Sequence, residues 1–180
     1  MKKIFFLLIS FCIYSNYIIA QSTLTPVGAD SKVQFVIKNF GIRTNGSFKG
    51  LKGNIKFYPA NPSASAFDVT VDAGTIDTDN DSRDEHLRKE EYFNAATYKT
   101  IQFKSTKVVL SKVAGRFYMY GNLTIKGVTK PVEFGFGATP KNGGYTFEGE
   151  FKINRRDFGV GGSSVSMSDN LTVSLSIFAK

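Results

Sequence analysis

From Lys32 to the C-terminus this chain places its apolar residues two apart, in short runs separated by glycine, proline or asparagine. Side chains of an extended strand alternate between its faces, so such runs form strands with one apolar side. Val33, Phe35 and Ile37 make the first face, followed by a turn through Asn39 to Gly46. A longer run then carries Phe48, Ile55 and Phe57, with Gly50 and Gly53 as bends. Phe67, Val69 and Val71 form the next, and Ile101 with Phe103 opens a strand reaching Leu110. Beyond a hairpin at Lys112 to Gly115, the residues Phe117, Met119, Gly121, Leu123 and Ile125 share a face, and Gly127 leads into Val132, Phe134 and Phe136. Lys141-Asn142-Gly143-Gly144 is a strong hairpin signal, because Asn and Gly tolerate the positive φ that tight β-turns demand. Phe147, Phe151 and Ile153 follow it, and Val173, Leu175 and Ile177 close the chain. These runs predict about eight strands joined mostly by short hairpins.

Only Asp81 to Asn94 breaks the alternation, with Leu87, Glu90, Glu91 and Phe93 spaced as in a short helix. The fold class is therefore all-β, an antiparallel sheet with one helical insertion. Closure into a barrel removes exposed sheet edges, and the glycines at bends allow the curvature. Alternation alone fits a sandwich as well. It also leaves two interiors open, since an eight-stranded barrel can be filled by side chains or hold one small ligand.

The first twenty residues have a different character. Lys2 and Lys3 precede the apolar run Ile4 to Ile13, and a polar break at Ser15-Asn16 leads to Ile18-Ile19-Ala20 before Gln21. That order is a signal peptide cleaved near Ala20, and the run is too short for the ~20 residues of a membrane span. The domain proper is then 21–180, and the expected location is periplasmic or secreted. Cys12 is the only cysteine, so the cleaved chain carries no disulfide or thiol chemistry. Loss of the two lysines lowers the formal charge from +8 to +6, a surplus that suits anionic head groups or a lipid surface. The basic residues are scattered rather than blocked, which argues against nucleic acid as a partner.

Catalytic and metal motifs are sparse. His86 is the only histidine and no Gly-x-Ser-x-Gly elbow is present, which excludes a serine-hydrolase arrangement of that type and any two-histidine mechanism. Asp77, Asp79 and Asp81 have the spacing of a calcium loop, but Ser82 and Arg88 stand where glycine and glutamate are required. Gly159, Gly161 and Gly162 lack the helix start that a phosphate loop needs. No cofactor or metal is implied. Thr78, Arg83, Asp84 and His86 form a polar cluster beside the insertion, readable as a local hydrogen-bonded network or as functional groups at a barrel end.

Several pieces resemble the YceI-like polyisoprenoid-binding proteins, small secreted bacterial proteins with a lipocalin-like barrel. They are Asp30-Ser31-Lys32-Val33-Gln34-Phe35, Gly46-Ser47-Phe48 with Gly53, Thr78 with Arg83-Asp84-Glu85-His86-Leu87, Tyr92-Phe93, and Tyr98 with Ile101, Phe103 and Ser105. Gly121 through Val132 and Asn154-Arg155-Arg156-Asp157-Phe158-Gly159-Val160 complete the ordered set, which spans Leu24 to Ala179. The chain departs from the pattern in lacking tryptophan, in Lys38-Asn39 where a histidine often stands, and in Lys99 where proline is common.

The resemblance implies an eight-stranded antiparallel lipocalin-like β-barrel whose apolar interior takes an isoprenoid chain, a polyprenyl phosphate or a quinone, without catalysis. The expected lining is Phe35, Ile37, Phe48, Phe57, Val69, Phe103, Leu123, Phe134, Phe147 and Val173. Arg83, His86 and Arg155 match motif positions and carry the protons a diphosphate head group would accept. Two other functions stay in view: a ligand-free structural or interaction module with a filled core, and a lipid-modifying enzyme using Arg83, Asp84 and His86. No coiled-coil pattern or obvious apolar interface is present, so a monomer or weak dimer is expected, with transient membrane contact compatible with the charge.

Overall fold

The alternating runs produce ten strands, two more than the sequence suggests. A computed structural model describes residues 23–180, so the expected signal peptide and its cleavage site lie outside the described residues. The strands are β1 (Thr23–Leu24), β2 (Lys32–Asn39), β3 (Ile42–Phe48), β4 (Lys52–Lys56), β5 (Ala66–Asp72), β6 (Thr100–Leu110), β7 (Arg116–Ile125), β8 (Val128–Lys141), β9 (Gly144–Asn154) and β10 (Met167–Ala179). One helix, α1 (Asp81–Leu87), lies within the expected insertion. Asn80 caps its start by accepting the Arg83 N–H at 2.9 Å.

Two local differences account for the first extra strand, β3. Residues 39–46 are not an open turn: the chain reverses at Phe40-Gly41 alone, both with positive φ (50° and 78°), and β3 begins at Ile42. A tight turn of this handedness matches the twist of paired strands, but its usual signature is Asn-Gly, not Phe-Gly. The run from Phe48 to Phe57 is likewise two strands, because the chain turns at residues 49–51, with Gly50 at φ 72°. The second extra strand is the two-residue β1. The Asn142-Gly143 hairpin appears where the sequence places it, with φ values of 46° and 78°.

All ten strands belong to one antiparallel, curled sheet in the order β1-β4-β5-β6-β7-β8-β9-β10-β2-β3. Its two edges are tied back by hydrogen bonds. Residues 25–27 continue from β1, which pairs β4, and bond to the end of β10 through Thr25 N–H to Lys180 O and Val27 N–H to Phe178 O, both 2.8 Å. On the other side Ser47 exchanges bonds with Asp77 (2.8 and 3.1 Å), and Asp72 N–H donates to Lys49 O at 3.0 Å. The resulting architecture is the expected lipocalin-like curl, with each edge strand held back at these points.

The interior divides into two storeys. At one end Phe57, Phe67, Phe117, Phe136 and Phe147 form a filled plug with Ile55, Val108, Met119 and Leu24. Phe57 alone has five aromatic neighbours at ring-centre distances of 5.1–6.3 Å, all edge to face. Such pairs contribute about 0.5–1.5 kcal/mol each beyond their buried area. The other storey is hollow.

Candidate lipid-binding cavity

Strand alternation decides which residues face inward, and height along the barrel decides which of those meet open space. β9 shows both effects. Phe147 and Phe151 share its inner face but stand four residues apart, about 13 Å along a strand. Phe147 sits in the plug beside Phe57 and Phe136, whereas Phe151 borders the cavity and stacks on Phe134 with ring centres 4.7 Å apart.

The cavity has a volume of about 210 Å³ and an almost wholly apolar wall. Eight of the ten expected lining residues surround it: Phe35, Ile37, Phe48, Val69, Phe103, Leu123, Phe134 and Val173. Phe57 and Phe147 do not; both belong to the plug, because alternation reports side and not depth. Residues not anticipated as lining include Phe151, Ile153, Tyr92 and Phe93. The first two already carried the alternation signal. Tyr92 and Phe93 follow α1 and close over the wall, where Phe93 meets Phe48 edge-on at 5.4 Å.

Two glycines make room for the aromatic lining. A Cβ at Gly46 would lie 2.2 Å from the Phe35 ring, and one at Gly121 would lie 2.5 Å from the Phe103 ring. Each ring therefore occupies the space that a side chain on the neighbouring strand would fill. A side chain at either glycine would push its phenylalanine into the cavity.

Polar groups at the wall are few. Arg83 donates from Nε to Thr78 Oγ1 at 2.7 Å and from Nη2 to Thr78 O at 2.6 Å. Thr78 in turn donates its hydroxyl and its N–H to the buried Asp84 carboxylate. Arg83, Thr78 and Asp84 thus form a relay that fixes the guanidinium at the cavity edge. Five N–H protons belong to a guanidinium, and no described residue accepts those on Nη1 of Arg83.

Arg155, also at the wall, is only 4 % exposed. Its Nε bonds to Ser168 O, its Nη1 to Val160 O and Gly162 O, and its Nη2 to Met167 O and to Asp169 Oδ1 at 2.8 Å. Every proton has a protein acceptor, so Arg155 clamps the glycine-rich 159–162 loop to the start of β10 and has none free for a head group. His86 is absent from the wall. Its ring packs against Tyr92 at 5.0 Å and its Nε2 lies 3.8 Å from the Glu91 carboxylate, on the exposed side of α1. A short helix exposes one side to solvent, and nothing in the sequence told which side position 86 would take. Of the three expected head-group residues, the structure leaves Arg83 with a free donor at the cavity.

Comparison with known proteins agrees with this architecture. Residues 24–179 match the family described as the YceI-like domain. "Protein YceI" of Salmonella arizonae is 36% identical over 148 residues, covering 78% of this chain and 76% of that protein. Among solved structures, BcnA of Burkholderia cenocepacia superposes with a TM-score of 0.81 at 25% identity, covering 86% of this chain and 99% of its own. A polyisoprenoid binding domain from Saccharophagus degradans, described as implicated in plant cell wall breakdown, superposes with a TM-score of 0.70 at 18% identity, covering 89% and 98%.

Proposed function

Because this chain belongs to the family of YceI-like domains, we propose that it is a non-catalytic carrier of an isoprenoid-type lipid, a polyprenyl phosphate or a quinone, working in the periplasm or outside the cell. The observation that carries the reading is the hollow storey: an open cavity of about 210 Å³ lined mainly by phenylalanine and aliphatic side chains, with one arginine holding unused protons at its edge. An interior meant only for stability would be packed like the plug, since each void forfeits dispersion contacts.

The chemistry suits a long apolar tail with a small polar end. Burying one five-carbon unit contributes roughly 3–4 kcal/mol at ~0.8 kcal/mol per CH₂-sized group, before ordering costs. No directed hydrogen bond is needed along the tail. The cavity is smaller than the ~300–1,000 Å³ of typical drug-sized sites, which favours a slender chain inside and any ring or phosphate toward Arg83. The polyisoprenoid binding named for the Saccharophagus degradans domain is a ligand class of the same shape.

Arg83, Thr78 and Asp84 are turned toward one another, and His86 toward Tyr92, which favours carriage over lipid-modifying chemistry. The test is native mass spectrometry of the protein purified from its own host, followed by solvent extraction of any released lipid. A stoichiometric isoprenoid adduct supports the proposal. A bare polypeptide mass, still bare after incubation with polyprenyl phosphates and quinones, would overturn it in favour of a ligand-free module.

A further inference from the structure

The β2–β3 hairpin breaks three physical preferences at one place. Its tip residue Phe40 is 80% exposed, and Ile42 beside it is 72% exposed, so two large apolar side chains stand in solvent. Phe40 also holds φ at 50°, a left-handed conformation that costs an aromatic residue free energy and that asparagine or glycine adopts readily. On the outer face just below, Lys38 and Arg43 are paired directly across the strands. Like charges in that position repel, and among the described residues neither has an acidic partner.

These features belong to a wider pattern. Between Asp30 and Asp68 the sequence holds six basic residues and no acidic one. The hairpin is tied to the 163–166 loop by Phe40 N–H to Ser166 O at 2.7 Å, and that loop carries the fully exposed Val165. The tip also adjoins the cavity. Asn39 and Thr44 line it, Asn39 pairs with Ile42, and Ile42 therefore extends the inner wall past the rim.

We infer that the Phe40–Ile42 hairpin, with Val165, Lys38 and Arg43, is a docking surface for an anionic lipid bilayer, inserting its apolar tip while the two cations meet the head groups. The charge complementarity selects a membrane over a neutral partner surface, and Ile42, on the inner face opposite Asn39, brings the inserted tip up to the rim of the cavity. The inference rests on the carrier reading for its purpose but not for its test.

The chain has no tryptophan, so Phe40→Trp installs a single tryptophan at the tip, excited selectively at the red edge where its eight tyrosines do not absorb. On mixing with vesicles of phosphatidylcholine and phosphatidylglycerol its emission should shift to the blue, and brominated lipids should quench it. Phe40→Asn with Ile42→Thr, substitutions compatible with the turn and the strand, should weaken vesicle binding by about tenfold or more while the thermal midpoint holds. Lys38→Gln and Arg43→Gln should each weaken it by about fivefold on anionic vesicles only. An emission spectrum unchanged by either lipid, or full binding by the Phe40→Asn/Ile42→Thr protein, overturns the docking surface. If protein from the host carries lipid and yet the tryptophan does not respond, docking falls and carriage stands. If the tryptophan responds and no lipid is ever carried, the reverse holds.

Discussion

Val173→Phe should raise stability and abolish lipid binding together, a pairing of opposite signs that a filled core could not give. Val173 lies on the inner face of β10, flanked by Phe151 on β9 and Phe35 on β2, and its side chain borders the cavity. Valine to phenylalanine adds four carbon atoms, which fall into empty space. At ~0.8 kcal/mol per carbon the full gain would be about 3 kcal/mol, and rotamer ordering with incomplete contact reduces it to roughly 1–2 kcal/mol. For a domain of this size that is a rise of about 2–8 °C in thermal midpoint. The same ring displaces roughly one five-carbon unit of a bound tail, worth about 3–4 kcal/mol or more than a hundredfold in affinity. Differential scanning calorimetry of the lipid-free protein and titration with a polyprenyl phosphate read the two effects separately. A fall in midpoint would mean that the storey is already packed, because overpacking costs about 1–3 kcal/mol. Unchanged affinity would mean that the tail lies elsewhere.

Four further outcomes are expected. Phe57→Ala, which removes the ring at the centre of the plug, should cost about 3–5 kcal/mol in urea unfolding and leave lipid stoichiometry unchanged in whatever protein remains folded. Arg83→Gln should weaken a polyprenyl phosphate more than the corresponding polyprenol, a difference read by competitive titration, since only the phosphate needs the cation. Arg155→Ala removes the donor from four carbonyls, while Asp169 keeps Arg156 at 3.3 Å, and should lower stability by about 1–3 kcal/mol, the cost of leaving buried acceptors unsatisfied, with the 159–162 loop becoming sensitive to protease. Asp77 accepts the Asp79 N–H and pairs with Lys49 at 3.2 Å, which holds its carboxyl below the ordinary 3.8. Its folded value is depressed, so its stabilisation is present at neutral pH and fades as pH falls below 3.8; Asp77→Asn should melt lower than the parent at pH 7 and converge with it in acid.

Side-chain alternation made the fold readable, and its limits explain the misses. The inner faces of β2, β5, β7, β8 and β9 stood out because each apolar residue recurs at a period of two, and β7 keeps that rhythm from Phe117 to Ile125. β3 hid because its sequence, Ile-Arg-Thr-Asn-Gly-Ser-Phe, places threonine and glycine on the inner face, where Gly46 yields its volume to the Phe35 ring. Height was unreadable in principle: Phe147 and Phe151 carry the same signal, and only the three-dimensional register separates plug from cavity. The polar site was legible by residue type but not by partner. Arg83 and Arg155 look alike in sequence, and the acceptors that exhaust Arg155, four carbonyls and the Asp169 carboxylate, come from a loop and strand start five to fourteen residues away.

The order of the strands also governs when this protein can become a barrel. β2 pairs on one side with β3 and on the other with β10, which ends at Ala179 one residue from the C-terminus. Until β10 is in place, the hairpin of β2 and β3 lacks its second neighbour. For that interval Val33, Phe35 and Ile37 have β3 on one side and no strand on the other, and contacts so distant along the chain are the slow ones to form. A chain shortened before Met167 would lose the strand between β9 and β2 and leave both with an unpaired edge.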